Sequence, residues 1–345
     1  MSTDKGIASS LSGIRETETN QYGQESILEV KGLKKYFPVY SRILKRKMGW
    51  IKAVDGVSFK IRKGEIFGIV GESGCGKSTL GKTILGIYRP NDGSVVFKGE
   101  TISTLPTKQA RKIRMGLQYV YQDAGASLDP MWLIRRTLRE PLVIHARLSK
   151  EEIDERIERV LAATGLKPEH LSRYPHEFSG GQQRRLGLAR ILCLNPSLVI
   201  LDEPTSGLDV SVQATILKLF IELKHQFELT YIFISHNLTV VHMMCNRMAV
   251  MYAGKIVEMG ETHNIFHHPI HPYTKVLLVA IPEVGKEMDQ NLSLTGEPPN
   301  PENFPSGCRF WPRCGYKKEI CETVEPVLKS DKDGRWLACH LNHMK

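Results

Sequence analysis

The chain has 345 residues, a formal net charge of +10 and seven cysteines, and 41% of its residues are hydrophobic. This length suits one large domain with a smaller one, and no apolar run approaches the roughly 20 residues that cross a bilayer. Residues 1–25 are polar and lack the apolar core of a secretory signal. We therefore expect a flexible N-terminal tail on a cytoplasmic chain.

A basic segment at residues 41–50 lies between two apolar stretches and is expected to form an exposed loop. Its charge suits acidic lipid headgroups or DNA equally well. The charge of the whole chain is compatible with nucleic acid, a membrane surface, phosphorylated ligands or no dedicated partner. The role of the basic segment stays open at this point.

The stretch IVGESGCGKSTLG, residues 69–81, matches the pattern G-x-x-x-x-G-K-[ST]. The apolar residues before it predict a buried strand, and the residues after it predict a helix. Glycines let backbone N–H groups surround a phosphate, Lys77 supplies a positive charge, and Ser78 can ligate Mg²⁺. The expected nucleotide contacts are Gly71, Glu72, Ser73, Gly74, Cys75, Gly76, Lys77, Ser78 and Thr79.

A second motif, SLVILDEPTSGLD at residues 197–209, is an apolar run that ends in two carboxylates. Asp202 at the end of a buried strand can hold the Mg²⁺ shell. Glu203 can polarise the attacking water, because neighbouring residues on a strand point to opposite faces. Beside a phosphate loop, this pair predicts the hydrolytic half of a triphosphate site.

Upstream, FSGGQQRRLGLARIL at residues 178–192 predicts a helix opened by Ser179 and two glycines. Such an N-terminus suits an anion, and an ordinary serine cap is the alternative. A further helix is predicted after Ser149, because Ser149 and Glu152 have the spacing of a capping box.

These motifs together resemble the ATP-binding cassette (ABC) ATPases. Residues 178–182, FSGGQ, are similar to the family's signature LSGGQ, and residues 206–209, SGLD, resemble its D-loop. Gln122 resembles the Q-loop glutamine and His236 the switch histidine. Phe37 resembles the aromatic residue that stacks on adenine, with Tyr36 as the alternative. Asn237 and Ala124 depart from the family's usual residues.

The resemblance implies an α/β fold: a P-loop NTPase ABC nucleotide-binding domain with a RecA-like core, an antiparallel β subdomain and a helical subdomain. We place this domain at residues 26–260, with the helical subdomain at about 123–180. The family closes as a head-to-tail dimer over two ATP molecules. Ser179, Gly180, Gly181, Gln182 and Asp209 are then expected to serve the nucleotide of the facing cassette.

The region 261–345 resembles the C-terminal region of oligopeptide and dipeptide importer ATPases, and the motifs resemble the F-type subunit more than the D-type. Nickel and sugar importers share this subgroup, so the cargo stays open. Cys308, Cys314, Cys321 and Cys339 have the spacing C-x₅-C-x₆-C-x₁₇-C, which is not that of zinc ribbons. The resemblance favours a structural 4Fe–4S cluster, with Zn²⁺ or free thiols as alternatives.

The resemblance thus implies an ATPase, with ATP and Mg²⁺ as cofactors, that powers peptide import from the cytoplasmic face of the membrane. Its expected partners are a second, non-identical D-type ATPase subunit, two transmembrane permeases and, indirectly, an extracytoplasmic solute-binding protein. No nucleic acid is expected, because the chain has one cassette and lacks the large insertions of the ABC ATPases that act on nucleic acid.

Overall fold

The computed structural model describes residues 25–41, 46–103, 105, 107–121, 128–146, 148–279, 296–332 and 334–341. Gln122, most of the N-terminal tail and part of the basic segment lie outside these ranges. The chain divides into two compact units. The first contains residues 1–104 and 233–345, and the second contains residues 105–232.

The described residues of the first unit form strands of two sheets. One is antiparallel, in the order β2–β1–β4–β5. Its strands are β1 (Ser26–Tyr40), β2 (Lys47–Arg62), β4 (Asp92–Phe97) and β5 (Glu100–Thr101). Strand β2 alternates buried and exposed residues along much of its length, as expected for a sheet with one covered face.

The second sheet of this unit contains β3 (Ile66–Val70), which is buried along its whole length and pairs in parallel with β9 (Arg247–Tyr252). Antiparallel strands then follow in the order β10 (Lys255–Glu261), β12 (Trp336–Leu337) and β11 (Lys329–Ser330). The C-terminal residues therefore extend the sheet that carries the phosphate-loop strand.

The helices of the first unit are short. They are α1 (Lys77–Leu85), α7 (Leu238–Met244), α8 (Thr262–His267), α9 (Pro272–Val279) and α10 (Ile320–Thr323). Helix α1 starts directly after the phosphate loop and is capped at its C-terminus by Gly86, which has a left-handed backbone. The predicted strand–loop–helix order is therefore confirmed.

The second unit contains β6 (Leu117–Val120), which pairs in parallel with the fully buried β7 (Leu198–Asp202). Its helices are α2 (Thr107–Arg114), α3 (Ile134–His145), α4 (Lys150–Ala163), α5 (Gly180–Leu192) and α6 (Val210–Phe227). The division between the units falls inside the buried strand β8 (Thr230–Ser235).

Helix α4 begins with the predicted capping box. The Glu152 side chain accepts a hydrogen bond from the Ser149 backbone N–H at 2.6 Å, and Ser149 Oγ accepts one from the Glu152 N–H at 3.2 Å. The apolar face of the helix is buried. Among the described residues, no helix is both long and apolar enough to cross a membrane.

Candidate functional site

The phosphate loop joins β3 to α1, and two of its glycines cannot be replaced by larger residues. A Cβ on Gly71 would lie 2.1 Å from the Met251 carbonyl oxygen, and one on Gly76 would lie 2.1 Å from that of Ala53. Both residues also have positive φ angles, 152° and 108°. The loop therefore needs glycine at both ends for steric and conformational reasons.

Lys77, the first residue of α1, is only 6% exposed. Its ammonium group donates hydrogen bonds to the carbonyl oxygens of Gly71 at 2.7 Å and Glu72 at 2.9 Å. The charge is thus held across the loop rather than in solvent. Ser78 and Thr79 follow in the first turn of α1. This arrangement gives a phosphate ligand one cation and one helix N-terminus.

Cys75 is buried within the phosphate loop. Its burial raises the pKa of the thiol, and the nearby Lys77 ammonium offsets this only in part. The Cys75 carbonyl oxygen accepts a hydrogen bond from the Gly254 N–H at 2.9 Å, which ties the loop to the turn after β9. Cys75 therefore acts in this structure as a small buried residue with a protonated thiol.

The two aromatic candidates for adenine stacking have different environments. The Tyr36 hydroxyl donates a hydrogen bond to the carboxylate of Asp55, and burial and this bond raise the pKa of Tyr36. Phe37 instead contacts Tyr88 edge to face at 5.2 Å, with the Lys35 ammonium 4.9 Å from its ring centre. The Tyr36 ring is anchored by the hydrogen bond of its hydroxyl, whereas the Phe37 ring contacts an aromatic ring and a cation.

Asp202 and Glu203 lie at the end of β7 in the second unit. Oδ2 of the buried Asp202 accepts a hydrogen bond of 2.5 Å from the hydroxyl of Tyr119, a buried residue of β6. Glu203 has a φ of 50°, in the left-handed region that non-glycine residues rarely adopt. Such strain is typical of functional sites. Sequence reasoning missed Tyr119, because nothing local indicates its distant partner.

The signature segment forms the start of α5. Ser179 Oγ accepts a hydrogen bond from the Gln182 N–H at 3.4 Å, and Gln182 Oε1 accepts one from the Ser179 N–H at 3.0 Å. Added Cβ atoms would meet nothing within 4 Å at Gly180 and only Val212 at 3.9 Å at Gly181. Internal packing therefore does not require either glycine, in contrast to Gly71 and Gly76.

Arg184, which sequence analysis also missed, ties this helix to the segment after β7. Its guanidinium donates to the carbonyl oxygens of Pro204 at 2.8 Å and Ser206 at 2.7 Å. These residues lead directly to Asp209, the N-terminal cap of α6. The signature, the two carboxylates and the D-loop segment thus belong to one connected part of the second unit.

His236 follows β8 and is exposed. The next residue, Asn237, caps α7 by accepting a hydrogen bond from the Val240 N–H at 3.2 Å. Asparagine and aspartate are equally good caps, which accounts for this departure from the family pattern. The phosphate loop, the aromatic candidates and His236 all belong to the first unit.

The four C-terminal cysteines lie within electrostatic range of one another. Burial raises the pKa of Cys308 to about 11, and it also raises the pKa of Cys314 and Cys339. Each sulfur accepts a hydrogen bond from a backbone N–H group. The donors are Phe310 for Cys308, Tyr316 for Cys314, Lys318 for Cys321 and Leu341 for Cys339.

Nevertheless, the part of the chain that the structure describes contains no group of three or more Cys, His, Asp or Glu side chains that could hold a metal ion. The thiols have the chemistry of metal ligands but are not arranged as a metal centre. The 4Fe–4S cluster, and its zinc alternative, therefore stay predictions.

A phosphate loop after a buried parallel strand, with paired carboxylates after another, defines a P-loop NTPase, and the serine-glycine signature at the start of α5 points to the ABC class. Two family models match the chain: ABC transporter over residues 54–206, and the C-terminal region of oligopeptide/dipeptide transporters over residues 257–321.

Curated relatives match most of the chain. The oligopeptide transport ATP-binding protein AppF of Bacillus subtilis is 48% identical over 92% of this chain and 98% of its own length. The dipeptide transport ATP-binding protein DppF of Haemophilus influenzae is 42% identical over 93% of this chain and 98% of its own length. The chain therefore belongs to the family of ABC transporter ATP-binding proteins, and it is an ATPase.

Solved structures agree with the fold. cbiO1 of Clostridium perfringens, described as part of the ABC transporter complex cbiONQ, matches with a TM-score of 0.61 and 28% identity over 71% of this chain and 92% of its own. The ATP-binding cassette MJ0796, described as dimeric and bound to ADP and Pi, matches with a TM-score of 0.60 and 26% identity. The match covers 68% of this chain and 98% of MJ0796. The predicted ABC fold is confirmed.

One expectation about partners was wrong. The motifs had suggested a second, non-identical D-type ATPase subunit. The relatives are described as transport ATP-binding proteins, which fits permease partners, and their descriptions show no distinct second ATPase. The physical reason is that this chain carries both a phosphate loop and a signature, so its own residues do not require a different cassette.

Proposed function

We propose that the chain is the subunit that hydrolyses ATP to power the import of oligopeptides or dipeptides through a membrane ABC transporter. The observation that carries this proposal is the match of residues 257–321 to the C-terminal region of oligopeptide/dipeptide transporters, next to a complete cassette. Relatives named for oligopeptide and dipeptide transport support the same cargo class.

In this proposal, Lys77 and the loop N–H groups bind the β- and γ-phosphates, and Ser78 with Asp202 holds the Mg²⁺ shell. Glu203 acts as general base toward the attacking water. His236 contacts the γ-phosphate, and Gln122 links the metal shell to the permease. The residues at 179–182 contact a nucleotide held by a facing cassette. ATP binding closes the pair of cassettes, and hydrolysis reopens it.

The permeases are proposed to dock on helix α3 and the residues just before it. This surface carries exposed apolar side chains, 81% exposed at Met131 and 60% at both Val143 and Ile144. Arg135, Arg136 and Arg139 line the adjacent groove with Trp132, and the Arg136 guanidinium lies 3.9 Å from the Trp132 ring centre. An apolar patch ringed by cations is typical of a protein interface.

With the permeases docked there, the chain is proposed to lie peripherally at the cytoplasmic face of the membrane. Val143→Asp and Ile144→Asp are each expected to abolish co-purification with the permeases. Thermal unfolding of the variants serves as the folding control. Unchanged co-purification with both variants contradicts this docking surface.

For the cysteines, we propose a structural 4Fe–4S cluster on the strength of the family resemblance, with the N–H donor at each sulfur as support; the sulfurs would have to move together to hold it. Anaerobically purified protein is then brown, and elemental analysis finds iron and acid-labile sulfide. Zinc without iron identifies Zn²⁺ as the bound metal. Absence of both metals contradicts any metal site at these cysteines.

The cargo is tested in cells that lack this gene. Uptake of labelled dipeptides and longer oligopeptides should be restored by the wild-type gene and not by Glu203→Gln. Nickel and sugar uptake are measured in the same cells. Restoration of nickel or sugar uptake without peptide uptake contradicts the proposed cargo, while leaving the ATPase assignment intact.

A further inference from the structure

The C-terminal cysteine segment, residues 308–341, reaches the nucleotide-binding loop through an arginine. Arg313 donates to both carboxylate oxygens of Glu72, at 2.8 and 3.1 Å. The Arg313 side chain is 6% exposed and that of Glu72 is 21% exposed. A two-pronged arginine–carboxylate pair with so little solvent access fixes the relative orientation of its partners.

Glu72 is held at two further points, both in its backbone. Its N–H donates a hydrogen bond of 2.8 Å to the Tyr273 hydroxyl oxygen, and its carbonyl oxygen accepts the Lys77 ammonium at 2.9 Å. Glu72 therefore connects Arg313, which its side chain contacts, to the phosphate-binding lysine, which its carbonyl oxygen contacts.

A second arginine of the segment makes a similar contact beside Tyr36, one of the two candidates for adenine stacking; Tyr36 and Asp55 are called the aromatic edge of the site. Arg309 forms an ion pair with Asp55, with side-chain exposures of 6% and 13%. The same carboxylate accepts the hydrogen bond from Tyr36. Arg309 also donates to the carbonyl oxygen of Ala253, whose neighbour Gly254 bonds to the phosphate loop at Cys75.

Both arginines are held by the fold of the cysteine segment. Arg309 directly follows Cys308, and Arg313 directly precedes Cys314. Arg313 is the last residue of the 3₁₀ turn Trp311–Arg313. The Trp311 N–H bonds to the Cys308 carbonyl at 2.9 Å, and the Cys314 N–H bonds to the Trp311 carbonyl at 3.2 Å. The segment thus holds two cations at a fixed spacing. Arg313 contacts the phosphate loop at Glu72, and Arg309 contacts Asp55, which bonds to Tyr36.

We propose that Arg313 and Arg309 are positioning residues for ATP, through which the cysteine segment holds the phosphate loop and its aromatic edge in the binding geometry. The proposal concerns the ATP site of the family and depends neither on the peptide cargo nor on a metal at the cysteines. It assigns to the C-terminal segment a role in nucleotide affinity that acts through Glu72 and Asp55.

Arg335 supplies a matched control. It lies in the same segment and pairs with the buried Glu258, with side-chain exposures of 12% and 0%. Its guanidinium also donates a hydrogen bond to the His268 carbonyl oxygen. Arg335→Met therefore removes another largely buried ion pair from the same segment without touching a nucleotide-site residue.

The test measures the equilibrium Kd of a fluorescent, non-hydrolysed ATP analogue together with thermal unfolding, on the full chain. Arg313→Met is expected to weaken binding by about ten-fold, because the loop loses an oriented carboxylate. Arg309→Met should weaken binding by a smaller factor. Arg335→Met should lower the unfolding temperature and leave the Kd within about two-fold of wild type.

A double-mutant cycle with Glu72→Gln shows whether the effect passes through Glu72. Arg313→Met should add little in the Glu72→Gln background. Arg313→Lys keeps the charge and the fold but loses the two-pronged geometry, so an intermediate Kd is expected.

The proposal is overturned if Arg313→Met and Arg313→Lys both bind the analogue as tightly as wild type, or if Arg335→Met weakens binding as much as Arg313→Met does. A wild-type chain that fails to bind the analogue would instead refute the ATP-binding role itself.

Discussion

The hydroxyl of Tyr119 donates a 2.5 Å hydrogen bond to Oδ2 of Asp202. The two residues lie on the paired parallel strands β6 and β7, and both are buried. The bond engages one carboxylate oxygen of Asp202 and fixes the rotation of its side chain. A carboxylate held in this way is preorganised for the Mg²⁺ shell.

Removal of this hydroxyl should therefore change the metal dependence of hydrolysis. In Tyr119→Phe, the Mg²⁺ concentration that gives half-maximal ATPase activity is expected to rise by about five-fold, with a smaller change at saturating metal. The measurement is ATPase activity against free Mg²⁺ at fixed MgATP.

Tyr231→Phe is the control for this prediction. Tyr231 is another buried tyrosine of the second unit, and its hydroxyl donates to the Phe220 carbonyl at 3.1 Å. That variant loses a buried hydrogen bond of comparable worth, roughly 1 kcal/mol, away from the carboxylates. Equal Mg²⁺ dependence in the two variants shows that Tyr119 has only a structural role.

The signature glycines are predicted to serve contacts outside their own chain. Because Gly180 has open space around its Cα, Gly180→Ala should change the free energy of unfolding by no more than about 0.5 kcal/mol. Its ATPase activity should nevertheless fall at least about ten-fold, since a methyl group blocks approach to a nucleotide. Chemical denaturation and ATPase assays measure the two effects.

Gly76→Ala provides the opposite case. Its added methyl group would lie 2.1 Å from the Ala53 carbonyl oxygen, so both stability and ATP binding should decrease. A Gly180→Ala protein with normal hydrolysis, or one as destabilised as Gly76→Ala, contradicts the assignment of residues 179–182 to an external nucleotide.

His271 predicts the acid dependence of stability. It is buried beside α9, and its Nδ1 accepts a hydrogen bond from the Tyr273 N–H at 3.0 Å. Burial lowers the pKa of His271 to about 3. A hydrogen bond to the Ala338 backbone raises this pKa and so opposes the effect of burial in part. The native state therefore keeps the ring neutral at pH values where the unfolded chain binds a proton.

The free energy of unfolding should consequently fall as the pH falls from about 6.5 to about 3, by up to roughly 1.4 kcal/mol per pH unit from this group. His271→Gln should be less stable at neutral pH but show a shallower decline over this window. Urea denaturation at a series of pH values measures both slopes, and identical slopes would show that another group controls acid unfolding.

Local motifs made much of the fold predictable. The phosphate loop was correctly placed between strand and helix, because its glycines, lysine and flanking apolar residues are contiguous. The capping box at Ser149 was predicted for the same reason. The side chains that orient the site were not predictable: Arg313 contacts Glu72 across 241 positions, and Tyr119 contacts Asp202 across 83.

The cysteines illustrate a different limit. Their clustering in sequence predicted a shared site, and the structure does bring them within electrostatic range of one another. Metal identity depends on sulfur geometry, which spacing alone does not determine. Gln122 lies outside the described residues, so its coupling role rests on the family resemblance.

ATP-dependent peptide uptake by membrane vesicles that contain the permeases and this subunit tests whether ATP hydrolysis by this chain drives import. Wild-type subunit should drive uptake of a labelled oligopeptide that stops when ATP is withheld. Glu203→Gln should bind ATP with near-normal affinity and give neither hydrolysis nor uptake, because only the general base is removed. Peptide uptake by Glu203→Gln vesicles at the wild-type rate would show that hydrolysis at this site does not power import.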